Sequence, residues 1–252
     1  MSRPTESRAW VPVAPTWEHD PEDKEAWRRV VAMPSLAFNR VEMELFEGVG
    51  GRSVCVLGVG EGLAPLALAA MGAKVLVVDP TYSLLDLLMV RTQVVGVDIQ
   101  YLAVELTDLT GVRDGSTRFC YAAQAGIQLQ DLGAFYSEAF RILMPGGRFV
   151  VNEYHPFRRI WKPESGAPRI ARSYFERRQE KIELDSPTPA NPAGMLGRYE
   201  YHWTLSDHVH FLVSAGFDIR ALEEVGEIRQ RWELPNLRGL PEQLILAADK
   251  PE

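Results

Sequence analysis

Three glycines at alternate positions, Gly58, Gly60 and Gly62, separate the apolar run Ser53–Leu57 from an alanine–leucine stretch. A strand that ends in such a turn lets backbone N–H groups, with Val59 held between two glycines, come close to a ligand. Asp79 closes a second apolar run, Lys74–Val78, and is followed by Pro80 and Thr81. A carboxylate at a strand tip can accept both vicinal hydroxyls of a ribose. Glu105, in Ala103-Val-Glu-Leu-Thr-Asp-Leu109, can accept from an adenine amino group while Leu106 packs on the ring. Asp108 is the competing acid and also suits a turn cap. This order of residues fits a nucleoside pocket.

Proton chemistry has two histidine candidates. His155 ends the run Asn152-Glu-Tyr-His and precedes Pro156. It titrates near neutrality and so can act as a base; capping the strand end is the alternative. His202 is the second candidate, against an ordinary place leading into a helix. His208 and His210 read as positions within that helix. Cys55 and Cys120 fall inside strand patterns and read as reduced core thiols. No metal set is expected.

The elements that must position these groups alternate. Strands are expected at 53–57, 74–78, 99–103, 118–123 and 148–153, with helices at 62–71, 82–93 and 130–143. Apolar strands alternating with helices mean a parallel sheet covered on both faces. Upstream, a helix is expected over Pro21–Ala32, then another capped by Ser35, with Leu36, Val41, Leu45 and Phe46 as its apolar stripe and Gly48 as its stop. Downstream, Thr204-Leu-Ser-Asp207 spells a capping box for a helix over 205–215 closed by Gly216. Strands at 217–223 and 243–248 then form an antiparallel edge pair, for seven strands with the last reversed.

Arg141-Ile-Leu-Met-Pro-Gly-Gly-Arg148 spells a helix end, a sharp turn and the start of a buried strand. With it, the stretch from about Val54 to His155 resembles the class I S-adenosylmethionine-dependent methyltransferases, in the group acting on small molecules. Tyr201-His-Trp-Thr-Leu-Ser-Asp207 and Leu212–Phe217 resemble that group's last helix and sixth strand. The resemblance implies a Rossmann-like α/β three-layer sandwich and S-adenosylmethionine as cofactor. It implies Gly58, Val59, Gly60 and Gly62 along the cofactor, Asp79 with Pro80 and Thr81 at its ribose, Glu105 and Leu106 at its adenine, and Ala122 and Ala123 at its methionine end. Two positions depart from the family pattern. Val56 stands where an acid two residues before the first glycine helps hold the amino-acid end, and Phe119-Cys120 stands where Phe-Asp is frequent. Asn39 and Arg40 are candidates to replace the missing acid, a solvated helix face being the alternative.

The expected organisation is an N-terminal arm with helices covering the cofactor site (1–50), a cofactor-binding core (51–155), an inserted cap or substrate segment (156–203), and the last helix with edge strands (204–252). Six tryptophans, Trp10, Trp17, Trp27, Trp161, Trp203 and Trp232, fall outside the central unit and could build an apolar pocket or fasten the arms to the sheet. Arginines at 158, 159, 169, 172, 177 and 178 could meet an anion or form a solvated face. A net charge of −7 over 252 residues does not favour a polyanion partner, and no Asn-Pro-Pro-Tyr string follows the fourth strand, so nucleic acid is disfavoured. No apolar run has the length of a membrane span and no secretory signal is visible, so a cytoplasmic protein is expected. The expected partner is a small-molecule methyl acceptor, and a homodimer stays open. The rival readings are a non-catalytic S-adenosylmethionine-binding protein and a nicotinamide-dependent oxidoreductase; Leu63, where the dinucleotide fingerprint wants glycine, weighs against the latter.

Overall fold

A computed structural model describes residues 25–161, 169–182, 198–226 and 240–252. The expected arm over 1–20, and with it Trp10, Trp17 and Trp232, lies outside the described residues. Five parallel strands come first: β1 (Ser53–Leu57), β2 (Lys74–Val78), β3 (Ile99–Leu102), β4 (Thr117–Ala123) and β5 (Leu143–Tyr154). A two-stranded ribbon, β6 (Gln179–Ile182) with β7 (Arg198–Tyr201), stands apart from the main sheet. The edge strands β8 (Asp218–Val225) and β9 (Gln243–Asp249) complete a seven-stranded sheet ordered β3-β2-β1-β4-β5-β9-β8. β9 runs antiparallel to both β5 and β8, so the reversed strand is the last in the chain, as expected.

The strand sequences alternate between two cores because successive side chains point to opposite faces. Cys55, Leu57, Cys120, Ala122, Phe149 and Val151 pack with Phe135, Tyr136, Ala139 and Leu212 on one face. Val54, Val56, Val75, Val77, Tyr121 and Val150 pack with Phe46, Leu66, Leu84 and Leu88 on the other. The helices behind these contacts are α2 (Arg40–Leu45), α3 (Leu63–Ala70) and α4 (Tyr82–Val95) on the second face, and α5 (Leu132–Ile142) and α6 (Leu205–Ala215) on the first. The short α1 (Ala26–Arg29) precedes them. Both cysteines are free and buried.

The helix before β1 departs from its sequence reading. Ser35 sits in a 3-10 turn over Pro34–Leu36, and α2 starts only at Arg40. Its cap is Asn39, whose side chain accepts from the Glu42 N–H at 2.9 Å while the Glu42 carboxylate accepts from the Asn39 N–H at 3.0 Å. This reciprocal pair outcompetes Ser35 because it satisfies two end donors at once. Similarly, the helix expected over Pro21–Ala32 is reduced, among described residues, to the single turn Ala26–Arg29. Pro145-Gly146-Gly147 is not a turn before the strand but lies within β5, which pairs with β4 at Leu143 and again from Arg148 across a register shift. Gly146, at φ +69°, absorbs that bulge. Elsewhere the capping box of Thr204 and Asp207 and the left-handed stop at Gly216 frame α6 as expected.

Candidate functional site

The glycine turn after β1, helix α2 and the C-terminal ends of β4 and β5 enclose a cavity of about 620 Å³. That volume lies within the range of sites for small molecules and cofactors, and its place is where open α/β sheets bind ligands. Gly58, Val59, Gly60, Ala123 and Arg40 line it, as do Asn39, Glu42, Tyr121, Asn152 and Glu224. At Gly60 (φ +54°) a Cβ would meet nothing within 4 Å, so the backbone there faces open space. Gly62 differs: at φ +80° it caps α3, and a Cβ would come 3.1 Å from Leu88 Cδ1. Gly62 therefore lets α3 pack on α4 and does not form part of the cavity wall.

Asp79 lies behind the glycine turn and is 5% exposed. One carboxylate oxygen accepts from the Val59 N–H at 2.7 Å and the other from the Thr81 N–H at 2.8 Å. Burial raises the Asp79 pKa above the usual carboxylate value, and the two N–H donors oppose that rise. A carboxylate has about four acceptor positions, of which these two N–H groups take two. Glu105 is exposed; partial burial first, then the charge of Asp79, pushes its pKa up. Leu106 is buried, with Cδ1 3.9 Å from the place of a Cβ on Gly58. Asp79, Pro80, Thr81, Glu105 and Leu106 thus gather on the β2–β3 side of the glycine turn, beside the cavity wall rather than in it. Asp108 makes a local turn, accepting from the Thr110 N–H at 3.2 Å.

The strand period divides the two alanines. Ala123 faces the cavity, whereas the Ala122 side chain points into the opposite core. Arg40 reaches the cavity rim, exposed and paired with Glu44 at 2.6 Å. His155 and His202 are placed elsewhere. Both line a second, small cavity of about 40 Å³ beneath the β6–β7 ribbon, together with His208. His155 is 2% exposed; its Nε2 meets Glu224 Oε1 at 2.8 Å, and its Nδ1 accepts from the Phe157 N–H at 3.2 Å. Both ring nitrogens are occupied, and His155 caps the 3-10 turn that follows β5. Burial lowers its pKa, against the pull of Glu224. His202 contacts the Tyr174 carbonyl through Nε2 at 2.8 Å, and burial lowers its pKa as well. Neither histidine lines the large cavity, but Glu224 does, so His155 touches it through that carboxylate.

Sequence reasoning missed the most polar part of the cavity. Glu42 is 1% exposed. Its Oε1 accepts from Tyr121 Oη at 2.7 Å and from Asn152 Nδ2 at 2.9 Å. Burial raises its pKa, and the donors on Asn39, Asn152 and Tyr121 hold the rise back. Asn39 Nδ2 is buried with no hydrogen-bond partner. Gln124, which also lines the cavity, has φ +49°, the one positive φ among described non-glycine residues. Its N–H donates to the Asn152 carbonyl at 2.7 Å, which holds that conformation at the tip of β4. The sequence signal available for this group was the Asn39-x-x-Glu42 capping box.

Among the described tryptophans and arginines, Trp203 and Arg178 line the small cavity with His155 and His202. Trp203 donates to the Leu129 carbonyl at 3.1 Å and stacks edge-on against Phe211; Trp27 lies under Arg28 and Arg91, at 4.4 and 5.4 Å. Arg172 pairs with Glu180, Arg177 with Asp207 and Arg178 with Glu176. Among described residues, no group of histidines, cysteines and acids could hold a metal ion, and no helix is long and apolar enough to cross a membrane.

Residues 55–151 match the family model of a methyltransferase domain. An S-adenosylmethionine-dependent methyltransferase from Mesorhizobium loti has a similar structure, with a TM-score of 0.66, 21% identity, and coverage of 86% of this chain and 97% of that one. The Burkholderia thailandensis 1,6-didemethyltoxoflavin-N1-methyltransferase, solved with 1,6-didemethyltoxoflavin and S-adenosylhomocysteine, aligns with a TM-score of 0.52 at 16% identity, covering 92% of this chain and 80% of that one. The [4+2]-cyclase SpnF aligns with a TM-score of 0.58 at 18% identity, covering 84% of this chain and 80% of that one. These likenesses show the shared fold. Among curated proteins, no sequence matches this one.

Proposed function

We propose, from the methyltransferase-domain match over residues 55–151 and the shared fold, that this chain is a class I methyltransferase that binds S-adenosylmethionine and transfers its methyl group to a small-molecule acceptor. One observation carries the reading: the glycine turn, with Asp79 pinned behind it, opens onto a cavity of about 620 Å³ at the strand ends. The residues fit such a cofactor. Gly60 leaves space for close approach, Asp79 and Glu105 offer acceptors for hydroxyl and amino donors, and Asn39 Nδ2 is a buried donor with no partner.

When bound, the cofactor supplies a sulfonium methyl for in-line displacement, which requires an acceptor held on the methyl axis in a dry pocket. In this reading Asp79 fixes the glycine turn and takes the ribose, with Pro80 and Thr81 shaping its far side. Glu105 and Leu106 take the adenine, and Ala123 with Gln124 borders the reacting end. His155 holds Glu224 at the cavity wall, so a proton leaving an acceptor would be received by that pair, with Glu224 as the touching group. His202 holds the Tyr174 segment of the cap. Of the segment 156–203, the described β6–β7 ribbon would stand on the acceptor side as part of a cap on the core of 51–155. The two free buried thiols suit a cytoplasmic setting.

Calorimetry against S-adenosylhomocysteine and NAD, followed by methyl transfer to a panel of small acceptors, tests the reading. Binding of the former with turnover supports it; binding of NAD alone overturns it. Val56, an apolar side chain at the tip of β1, favours the second reading of a binding protein without transfer. Tight S-adenosylhomocysteine binding with no turnover on any acceptor would select that one.

A further inference from the structure

Glu42 is a carboxylate buried in the wall of a ligand-sized cavity, and among described residues no basic side chain pairs with it. Three donors, the Tyr121 hydroxyl, the Asn152 amide and the Asn39 N–H, leave one acceptor position on Oε2 unused. A buried charge without a counter-charge is costly, and three neutral donors offset that cost only in part. What the carboxylate lacks is a cation from the cavity side. Asn39, next to it, offers the opposite complement: a buried Nδ2 donor with no acceptor. A free acceptor position on an anion beside a free donor is the pattern that recognises an α-amino acid group, ammonium on one and carboxylate on the other.

The sheet puts this pair at the right end of the cavity. Asp79 stands at the tip of β2, the glycine turn at the tip of β1, and Glu42 hangs from Tyr121 on β4 and Asn152 on β5. Strands are spaced about 4.8 Å, so β2 and β4 lie about 10 Å apart, the span from a ribose to the end of an extended amino-acid chain. Val56 on β1 pairs in register with Tyr121 and brings no charge of its own. Resting on the adenosyl reading above, we propose that Glu42 receives the α-ammonium of the cofactor's amino-acid end and Asn39 its carboxylate, making this α2 pair the positioning element of the methyl donor.

Titration calorimetry of wild type and Glu42→Gln with two ligands tests this: S-adenosylhomocysteine, and 5′-methylthioadenosine, which keeps the adenosine and sulfur but lacks the amino-acid end. The substitution is expected to weaken S-adenosylhomocysteine by about 10- to 100-fold, the scale of a lost hydrogen bond to charge, and 5′-methylthioadenosine by less than about twofold. Equal losses for both ligands would make Glu42 a structural residue only and overturn the proposal, as would no loss for either. The wild type gives an independent check should the variant not fold: S-adenosylhomocysteine must bind at least about tenfold tighter than 5′-methylthioadenosine, and parity overturns the proposal. Wild type that binds neither ligand takes down the adenosyl reading itself, an outcome distinct from parity.

Discussion

Replacing Glu153 by glutamine should make the stability difference between variant and wild type swing with pH. Glu153 is 0% exposed, on β5 against α5. Its Oε1 accepts from the Gly126 N–H at 2.6 Å, and its Oε2 has no partner. Burial pushes its pKa up to about 8 from 4.5, only partly countered by N–H groups of the 125–127 turn. The native state therefore keeps this proton after the unfolded chain has lost it. The stability tied to Glu153 is complete below about pH 4.5 and is lost as pH rises through about 8, at about 1.4 kcal/mol per pH unit and about 5 kcal/mol in all. His208, whose pKa burial pushes down to about 4, tilts the wild-type curve the other way below pH 6.5, and the lowered pKa values of His155 and His202 act in the same sense. Those contributions are common to both proteins and cancel in the difference. Glutamine keeps the acceptor for Gly126 but adds a second unsatisfied donor, at a cost of about 1–3 kcal/mol. Glu153→Gln is therefore expected to be the less stable protein near pH 5 and the more stable one near pH 8. Urea unfolding followed by fluorescence at unit pH steps from 5 to 9 measures it. A stability difference that does not vary with pH would refute the protonated native state of Glu153.

Three further outcomes follow from the geometry. Asp79→Ala removes the acceptor of the Val59 and Thr81 N–H groups; S-adenosylhomocysteine affinity should fall by at least about tenfold, and unchanged calorimetric affinity would detach Asp79 from the ribose. Gly62→Ala places a Cβ 3.1 Å from Leu88 Cδ1 at φ +80°; a loss of about 1–2 kcal/mol is expected, read as a lower melting temperature. His155→Ala and Glu224→Gln should slow methyl transfer to an identified acceptor by similar factors, and the double variant by no more than either, because the two act as one unit through their 2.8 Å contact. Additive losses would separate them.

The chain order alone determined the frame. Runs such as Ser53–Leu57 and Lys74–Val78 are too short and apolar for anything but buried strands, and glycine turns and caps mark their ends, so β1 to β5, the glycine turn and Asp79 were legible in place. The resemblance over 54–155 gave the same domain that the family match delimits at 55–151. Two local readings failed where neighbouring signals compete: Ser35 yielded its cap to Asn39, and Pro-Gly-Gly became a bulge inside β5. What only the tertiary structure decided is which polar groups share a space. His155 looked like a base at a strand tip, and packing against Glu224 and Phe157 turned both its nitrogens inward. Glu42 carries one local signal, the Asn39-x-x-Glu42 capping box, which marks a helix start and says nothing of a cavity. Its donors Tyr121 and Asn152 stand 79 and 110 residues away along the chain, and only the closing of β4 and β5 beside β1 brings them to it. Local preferences fix elements because they act over a few residues; burial and hydrogen-bond partners of a site are set by long-range pairing, which no window of sequence contains.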